Sequence, residues 1–117
     1  MKRTLRLLPS TLQGVFKSLS ARTLDEMRAE LKLLMSTLRK RFKVETIDIF
    51  GSYARSEQSE ESDVDILVTY SQMVSFFTVY DLEKYLQRKL HVKVDIISKK
   101  FLNPYIKSRV LQEAVPV

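Results

Sequence analysis

Two strand-like segments joined by a glycine-serine turn constrain this chain more than any other feature of its sequence. Residues 47–68 read IDIFGSYARSEQSEESDVDILV, and the second apolar segment carries Asp63 and Asp65 one residue apart. Alternation along a strand sends residues i and i+2 to the same face. The two carboxylates are therefore predicted to point the same way, where they repel each other unless a cation lies between them.

A carboxylate pair beside a glycine turn predicts metal-assisted nucleotide chemistry. Oxygen ligands suit Mg²⁺, which is usually held by one or two carboxylates together with substrate phosphates. Gly51 lets the backbone approach a ligand where a Cβ would obstruct it, and Ser52 adds a hydroxyl and an amide at a predicted helix start. Together the two parts predict a triphosphate site, although each part alone is also the pattern of a plain turn or a solvated strand edge.

The spacing between these two parts resembles the signature of a known family. Gly51-Ser52, ten intervening residues and then Asp-x-Asp are similar to the motif of the DNA polymerase β-like nucleotidyltransferases, and in particular of the minimal nucleotidyltransferase (MNT) proteins. GSYAR and SDVDILV match the form usual in that group, and the resemblance runs from about residue 24 to the C-terminus. Ser56 departs from it, because the family commonly has glycine after the Ala-Arg pair.

The resemblance implies a polymerase β-like fold and an active site with two Mg²⁺ ions. Asp63 and Asp65 would ligate both ions. Asp95, in a valine-aspartate-hydrophobic context, would be the third carboxylate of the metal site and would act as general base or orient the attacking group. It belongs to a third predicted strand, so it shares the polar face with the other two aspartates if the strands are neighbours.

The resemblance also implies how ATP, the expected nucleotide donor, is held. Gly51 and Ser52 would bind its β- and γ-phosphates. Arg55 occupies a further motif position, where it would contact phosphate or orient an acid; an exposed salt bridge is the alternative.

A protein acceptor is the function that the resemblance implies. MNT proteins commonly pair with HEPN-domain partners as antitoxin and toxin, and characterised members transfer AMP from ATP to a tyrosine of the HEPN toxin, an RNase. The chain is therefore expected to be an antitoxin of this kind. Two alternatives stay open: neutralisation by stoichiometric binding with a vestigial or regulatory nucleotide site, and nucleotidyl transfer to a small molecule or an RNA end.

The order of patterns predicts an α/β (α+β) domain in which helices flank a small mixed β-sheet. Thr23 and Glu26 form a capping-box pattern before a helix that ends near Arg41. The last helix begins either at Ser98 or at Asn103, which precedes a proline. The other predicted elements are a strand at 44–50, a short helix with an acidic loop at 53–62, a strand at 63–69, a helix from about 78 to 90 and a strand at 92–97.

Two groups of apolar residues are expected to be buried by these helices. Core packing is the expected role of Phe76, Phe77 and Tyr80, with nucleobase stacking as the alternative. The last helix is expected to bury a stripe formed by Phe101, Leu102, Ile106, Val110 and Leu111.

Length and composition limit the number of domains and the kinds of function that the chain can have. A length of 117 residues suits one domain, divided here into a basic N-terminal extension with a short helix at 1–22 and the MNT domain at 23–117. The absence of cysteine excludes disulfides and thiolate metal sites, and no apolar run reaches the roughly 20 residues that span a bilayer, so a cytoplasmic protein is expected. The net charge is +6, and the basic residues are scattered along the chain, which argues against a dedicated nucleic-acid-binding face.

Overall fold

The computed structural model describes residues 21–117 of the chain. Residues 1–20, with the predicted N-terminal helix, lie outside the described residues, so that helix and the boundary at residue 22 stay predictions. Within the described part, no helix combines the length and the apolar character needed to cross a membrane. The elements are α1 Leu24–Phe42, β1 Val44–Phe50, β2 Val64–Tyr70, α2 Phe76–Leu90, β3 Val94–Ser98, a 3-10 helix Lys99–Phe101, α3 Pro104–Glu113 and β4 Val115–Pro116.

The four strands form one mixed sheet flanked by helices, which confirms the predicted fold class. The strand order is β3-β2-β1-β4, with β1 antiparallel to both of its neighbours and β2 parallel to β3. A parallel pair requires a crossover connection, and α2 supplies it. The short β4 was not predicted; it brings the C-terminus back to the sheet, where the N–H of Val117 donates to the carbonyl of Ile47 at 2.9 Å.

The first helix begins and ends where the sequence predicts. The hydroxyl of Thr23 accepts a hydrogen bond from the N–H of Glu26 at 3.1 Å, and the Glu26 carboxylate accepts one from the N–H of Thr23 at 2.8 Å. This is a complete capping box. The helix stops at Lys43, which has a left-handed φ of 59°.

The two faces of the sheet carry different layers. Ile66 and Val68 point from β2 into the main core, which α1 and α2 complete. Leu67 points to the opposite face and packs with Leu102 and Val110 of the C-terminal segment. Because side chains alternate along β2, this second face is also the one that carries the predicted aspartates.

The segment after β1 differs from the prediction, because residues 51–56 form hydrogen-bonded turns and not a short helix. The N–H of Arg55 donates to the carbonyl of Gly51 at 3.1 Å, which closes a single helical turn. Gly51 and Ser56 have φ angles of 74° and 57°. A left-handed residue at each end prevents the turn from extending into a helix.

The predicted burial of the aromatic residues in α2 is wrong. Phe76, Phe77 and Tyr80 expose 92%, 81% and 60% of their surface. The helix begins at Phe76, two residues earlier than predicted, because Ser75 caps it. Its buried face starts only at Leu82, and helical spacing turns the three aromatic residues away from that face.

The last helix begins at the second of its two predicted positions. The side chain of Asn103 accepts a hydrogen bond from the N–H of Tyr105 at 2.9 Å, and Pro104 occupies the first helical position. Leu102 and Val110 are buried as predicted. The rest of the predicted stripe is exposed: Phe101, Ile106 and Leu111. Phe101 lies in the separate 3-10 helix, so the periodicity of α3 does not extend to it.

Candidate active site

The structure brings two of the predicted carboxylates side by side on neighbouring strands. Asp65 is the second residue of β2 and Asp95 the second residue of β3, and the two are partners in the parallel register. Residues directly across a strand pair point to the same face, and the preceding Val64 and Val94 are buried on the other face. Asp63 immediately precedes β2. The predicted neighbourhood is present, and the catalytic roles of the three aspartates stay predictions.

Gly51 forms the floor of the site, directly against Asp65. It follows the last residue of β1 and has a φ of 74°, in the left-handed region that favours glycine. A Cβ built on Gly51 would lie 2.1 Å from Oδ2 of Asp65. The turn and the carboxylate are therefore packed so closely that only glycine fits between them.

Glu113 is a site residue that the sequence analysis missed. Its Oε2 accepts a hydrogen bond from the N–H of Gly51 at 2.7 Å, and its Oε1 accepts one from Nη1 of Arg55 at 2.8 Å. Arg55 also donates from Nε to Glu57 at 2.9 Å, so the salt-bridge alternative for Arg55 is present. No local pattern marks Glu113, because it ends α3 and meets the turn only through the fold of the C-terminal segment.

Two acidic residues of the site have pKa values shifted in opposite directions. Burial, followed by the negative charges of Asp95 and Asp63, raises the pKa of Asp65, and the charge of Arg55 only partly opposes this. Burial would also raise the pKa of Glu113. There, however, the hydrogen bonds from Arg55 and a backbone N–H outweigh burial, and the pKa of Glu113 is lowered.

The donor set of the aspartates fits Mg²⁺. Asp63, Asp65 and Asp95 offer only oxygen ligands. Burial and then the negative charges of Asp95 and Asp63 raise the pKa of Asp65, and a bound cation would offset both effects. In residues 21–117 no three acidic, imidazole or thiol side chains already form a group that could hold a metal ion. One or two carboxylates with the substrate phosphates are nevertheless the usual ligands of Mg²⁺.

A cleft of about 450 Å³ joins the predicted residues to α3. Ile106, Arg109 and Val110 form the α3 wall beside Glu113, and Arg109 was also missed by the sequence analysis. Asp95 is not among the lining residues and lies on the adjacent strand. The other predicted residues all line the cleft: Gly51, Ser52, Arg55, Asp63 and Asp65.

A second cavity of about 280 Å³ lies between the end of α1 and α2. Arg41 lines it, with its guanidinium 5.1 Å from the ring centre of Tyr85. It contains none of the predicted site residues, so the cleft beside Gly51 is the candidate active site.

Comparison with known proteins tests the family prediction. A family model described as a nucleotidyltransferase domain matches residues 31–117, a range that includes the whole cleft. The chain belongs to this nucleotidyltransferase family. The predicted family and enzyme class are thereby confirmed.

Similar proteins show to which members of this family the chain is related. MntA, a protein adenylyltransferase of Thermococcus cleftensis, is 42% identical over 95 residues, which cover 81% of this chain and 96% of that protein. MJ0126 of Methanocaldococcus jannaschii is 41% identical over 95 residues, which cover 80% and 97%. A solved structure described as a minimal nucleotidyltransferase is 35% identical with a TM-score of 0.71, and the match covers 84% of this chain and 99% of that one. The resemblance to MNT proteins is confirmed.

Solved toxin–antitoxin complexes contain chains of the same fold. One, described as a toxin–antitoxin with AMP-PNP, includes a chain 25% identical to this one with a TM-score of 0.63, covering 74% of this chain and 70% of that one. Another is an MNT antitoxin in complex with a tri-AMPylated HEPN toxin of Shewanella oneidensis, at 20% identity and a TM-score of 0.58. The second match shows the shared fold.

Proposed function

We propose that this chain is a Mg²⁺-dependent protein adenylyltransferase that transfers AMP from ATP to a tyrosine of a cognate HEPN toxin and thereby acts as a cytoplasmic antitoxin. The observation that carries the proposal is the cleft in which the Gly51 turn faces the carboxylate of Asp65. The relative named as the protein adenylyltransferase MntA and the similar toxin–antitoxin structure with AMP-PNP support it.

The aspartates and the Gly51 turn have different roles in the transfer. Asp63, Asp65 and Asp95 would hold two Mg²⁺ ions, which supply the positive charge that stabilises the α-phosphate and the leaving pyrophosphate. Gly51 and Ser52 bind the β- and γ-phosphates through a backbone N–H and a hydroxyl. Fixed donors of this kind contribute to phosphoryl-type transfer through position and charge.

The reacting groups then exchange one bond for another. The tyrosine oxygen forms a bond to the α-phosphorus of ATP, and the bond from that phosphorus to the bridging oxygen breaks. Pyrophosphate leaves with the bridging oxygen, and Asp95 accepts the phenolic proton. Asp95 is exposed on the strand beside Asp65, where an acceptor from another protein can approach it.

A second candidate function is neutralisation by stoichiometric binding. Two observations favour it: Glu113 occupies the N–H of Gly51, and the aspartates do not form a ready metal centre in the described residues. In that case the antitoxin contacts the toxin and the nucleotide site is vestigial or regulatory.

Intact-mass spectrometry of the toxin separates the two functions. The toxin is incubated with this chain, Mg²⁺ and ATP, and its RNase activity is measured in the same sample. We expect a mass increase of one or more AMP groups on the toxin. The double variant Asp63→Asn/Asp65→Asn is expected to lower the rate by on the order of 1,000-fold, because the metal-binding charge is lost.

The control variant is Asp81→Asn, an exposed aspartate on α2 that lies outside the cleft. It should modify the toxin at the wild-type rate. If the double variant leaves the toxin unmodified but still inhibits its RNase activity at equal molar ratio, neutralisation by binding is the correct function. Tandem mass spectrometry of the modified toxin then identifies the acceptor residue, and an AMP group on any residue other than tyrosine would contradict that part of the proposal.

A further inference from the structure

One carboxylate occupies two hydrogen-bond donors of the cleft. The two oxygens of Glu113 accept hydrogen bonds from the N–H of Gly51 at 2.7 Å and from the guanidinium of Arg55 at 2.8 Å. These short bonds to a charged acceptor are of the strong kind. The side chain of Glu113 is only 18% exposed, so the bridge is partly shielded from water.

The N–H of Gly51 is a donor that the proposed function gives to the triphosphate, and Arg55 occupies the motif position where the resemblance to MNT proteins implies a phosphate contact. A carboxylate and a phosphate group both present two oxygens at a spacing that suits an arginine and a neighbouring N–H. A single N–H makes one strong hydrogen bond at a time, so Glu113 and a phosphate oxygen compete for Gly51. We propose that Glu113 is an internal phosphate mimic, which holds the Gly51 turn in the nucleotide-free protein and is displaced when the triphosphate binds.

A place for the displaced carboxylate lies on its own helix. Arg109 is four residues before Glu113 in α3 and lines the same cleft, and residues at this spacing are neighbours on a helix surface. Within residues 21–117 Arg109 makes no ion pair. Rotation of the Glu113 side chain toward Arg109 exchanges one cationic partner for another and frees the N–H of Gly51.

The inference rests on the proposed function, because it requires that a triphosphate binds at Gly51. Its consequence is a specific one: the negative charge of Glu113 weakens nucleotide binding, although Glu113 stabilises the empty site. A purely structural role predicts the opposite effect on affinity, since loss of the bridge would leave the Gly51 turn and Arg55 poorly placed for phosphate.

The test is calorimetric titration of the full chain with ATP and Mg²⁺. Glu113→Gln keeps the size of the side chain and removes its charge, and we expect it to bind ATP about 10-fold more tightly than wild type. The matched control is Glu57→Gln, because Glu57 also pairs with Arg55 but makes no bond to Gly51. It should bind within about 2-fold of wild type.

Nuclear magnetic resonance supplies a direct view of the displacement. The chain contains two glycines, so selective ¹⁵N-glycine labelling gives a spectrum in which the amide of Gly51 is readily followed. In the free proteins the Gly51 resonance should differ between wild type and Glu113→Gln. At saturating ATP and Mg²⁺ the two resonances should coincide, because phosphate has replaced residue 113 as the acceptor in both.

The outcomes are distinct. Unchanged or weaker ATP binding by Glu113→Gln, or Gly51 resonances that still differ at saturation, would overturn the role of Glu113 and leave the proposed function intact. Failure of both proteins to bind ATP would overturn both. If Glu113→Gln does not fold, as judged by circular dichroism, Glu113→Asp decides, because a side chain shorter by one methylene cannot bridge both donors and should also bind ATP more tightly.

Discussion

Gly51 is the residue on which the geometry of the cleft depends. Its φ of 74° and the 2.1 Å that would separate an added Cβ from Oδ2 of Asp65 are independent obstacles to any other residue. Gly51→Ala is therefore expected to lower the free energy of unfolding by about 2–3 kcal/mol. Urea denaturation followed by circular dichroism measures the change.

Two further variants separate the causes of that loss. Gly51→Ala combined with Asp65→Ala removes the clash but not the backbone strain, so it should recover part of the stability. Ser52→Ala, at the next position, should stay within about 0.5 kcal/mol of wild type. A Gly51→Ala variant as stable as wild type would show that the turn can relax away from Asp65.

The positions of the aspartates and Gly51 in the fold can be predicted from the sequence because their signals are local. Strand alternation sets the direction of Asp65 and Asp95 within a few residues of each, and a Gly-Ser pair at a strand end marks the turn. Glu113 has no such signal, since it contacts the turn across 62 residues of chain. Ser56 is an intermediate case: its φ of 57° explains why glycine is common there in the family, but the conformation is not visible from serine alone.

At the scale of elements, α2 carries an exposed aromatic surface that the sequence analysis expected to lie in the core. The first turn contributes Phe76 and Phe77, whereas the buried face consists of later residues such as Leu86. Phe77→Ala is therefore expected to change the free energy of unfolding by no more than about 0.5 kcal/mol. Leu86→Ala, fully buried, should lower it by about 2–4 kcal/mol.

Thermal or urea unfolding of the two variants checks this contrast. A loss of more than about 1 kcal/mol for Phe77→Ala would mean that the side chain is packed in solution. The helix α2 begins two residues before its predicted start. Its cap is Ser75, whose hydroxyl accepts a hydrogen bond from the N–H of Thr78.

At the scale of the whole molecule, the C-terminal segment converts a sheet with aspartates into a cleft. α3 supplies Glu113 and Arg109, and β4 returns the chain to the edge of β1. The sequence predicts α3 from its own pattern, but the packing of α3 against the turn depends on how the segment folds back, which periodicity does not encode.

The acidic cluster makes the stability of the molecule depend on pH in a defined direction. The pKa of Asp65 is raised in the folded protein, so the unfolded chain loses this proton more readily. Stability from this group is fully present below the unfolded pKa of about 4 and is lost as the pH rises through the higher folded value. Neutralising Asp65 should therefore stabilise the metal-free protein at neutral pH.

Asp65→Asn in the presence of EDTA at pH 7 is expected to melt about 2–4 °C above wild type, a modest shift because Asp65 is partly solvated. The advantage should disappear near pH 3, where wild-type Asp65 is also neutral, and Asp81→Asn should show no such gain. Glu113 has a lowered pKa and the opposite sign: it stabilises the protein above about pH 4, and that contribution is lost as the pH falls. Glu113→Gln should therefore melt below wild type at pH 7. If both variants shifted the melting temperature in the same direction, the opposite effects of the Asp65 and Glu113 charges on stability would be contradicted.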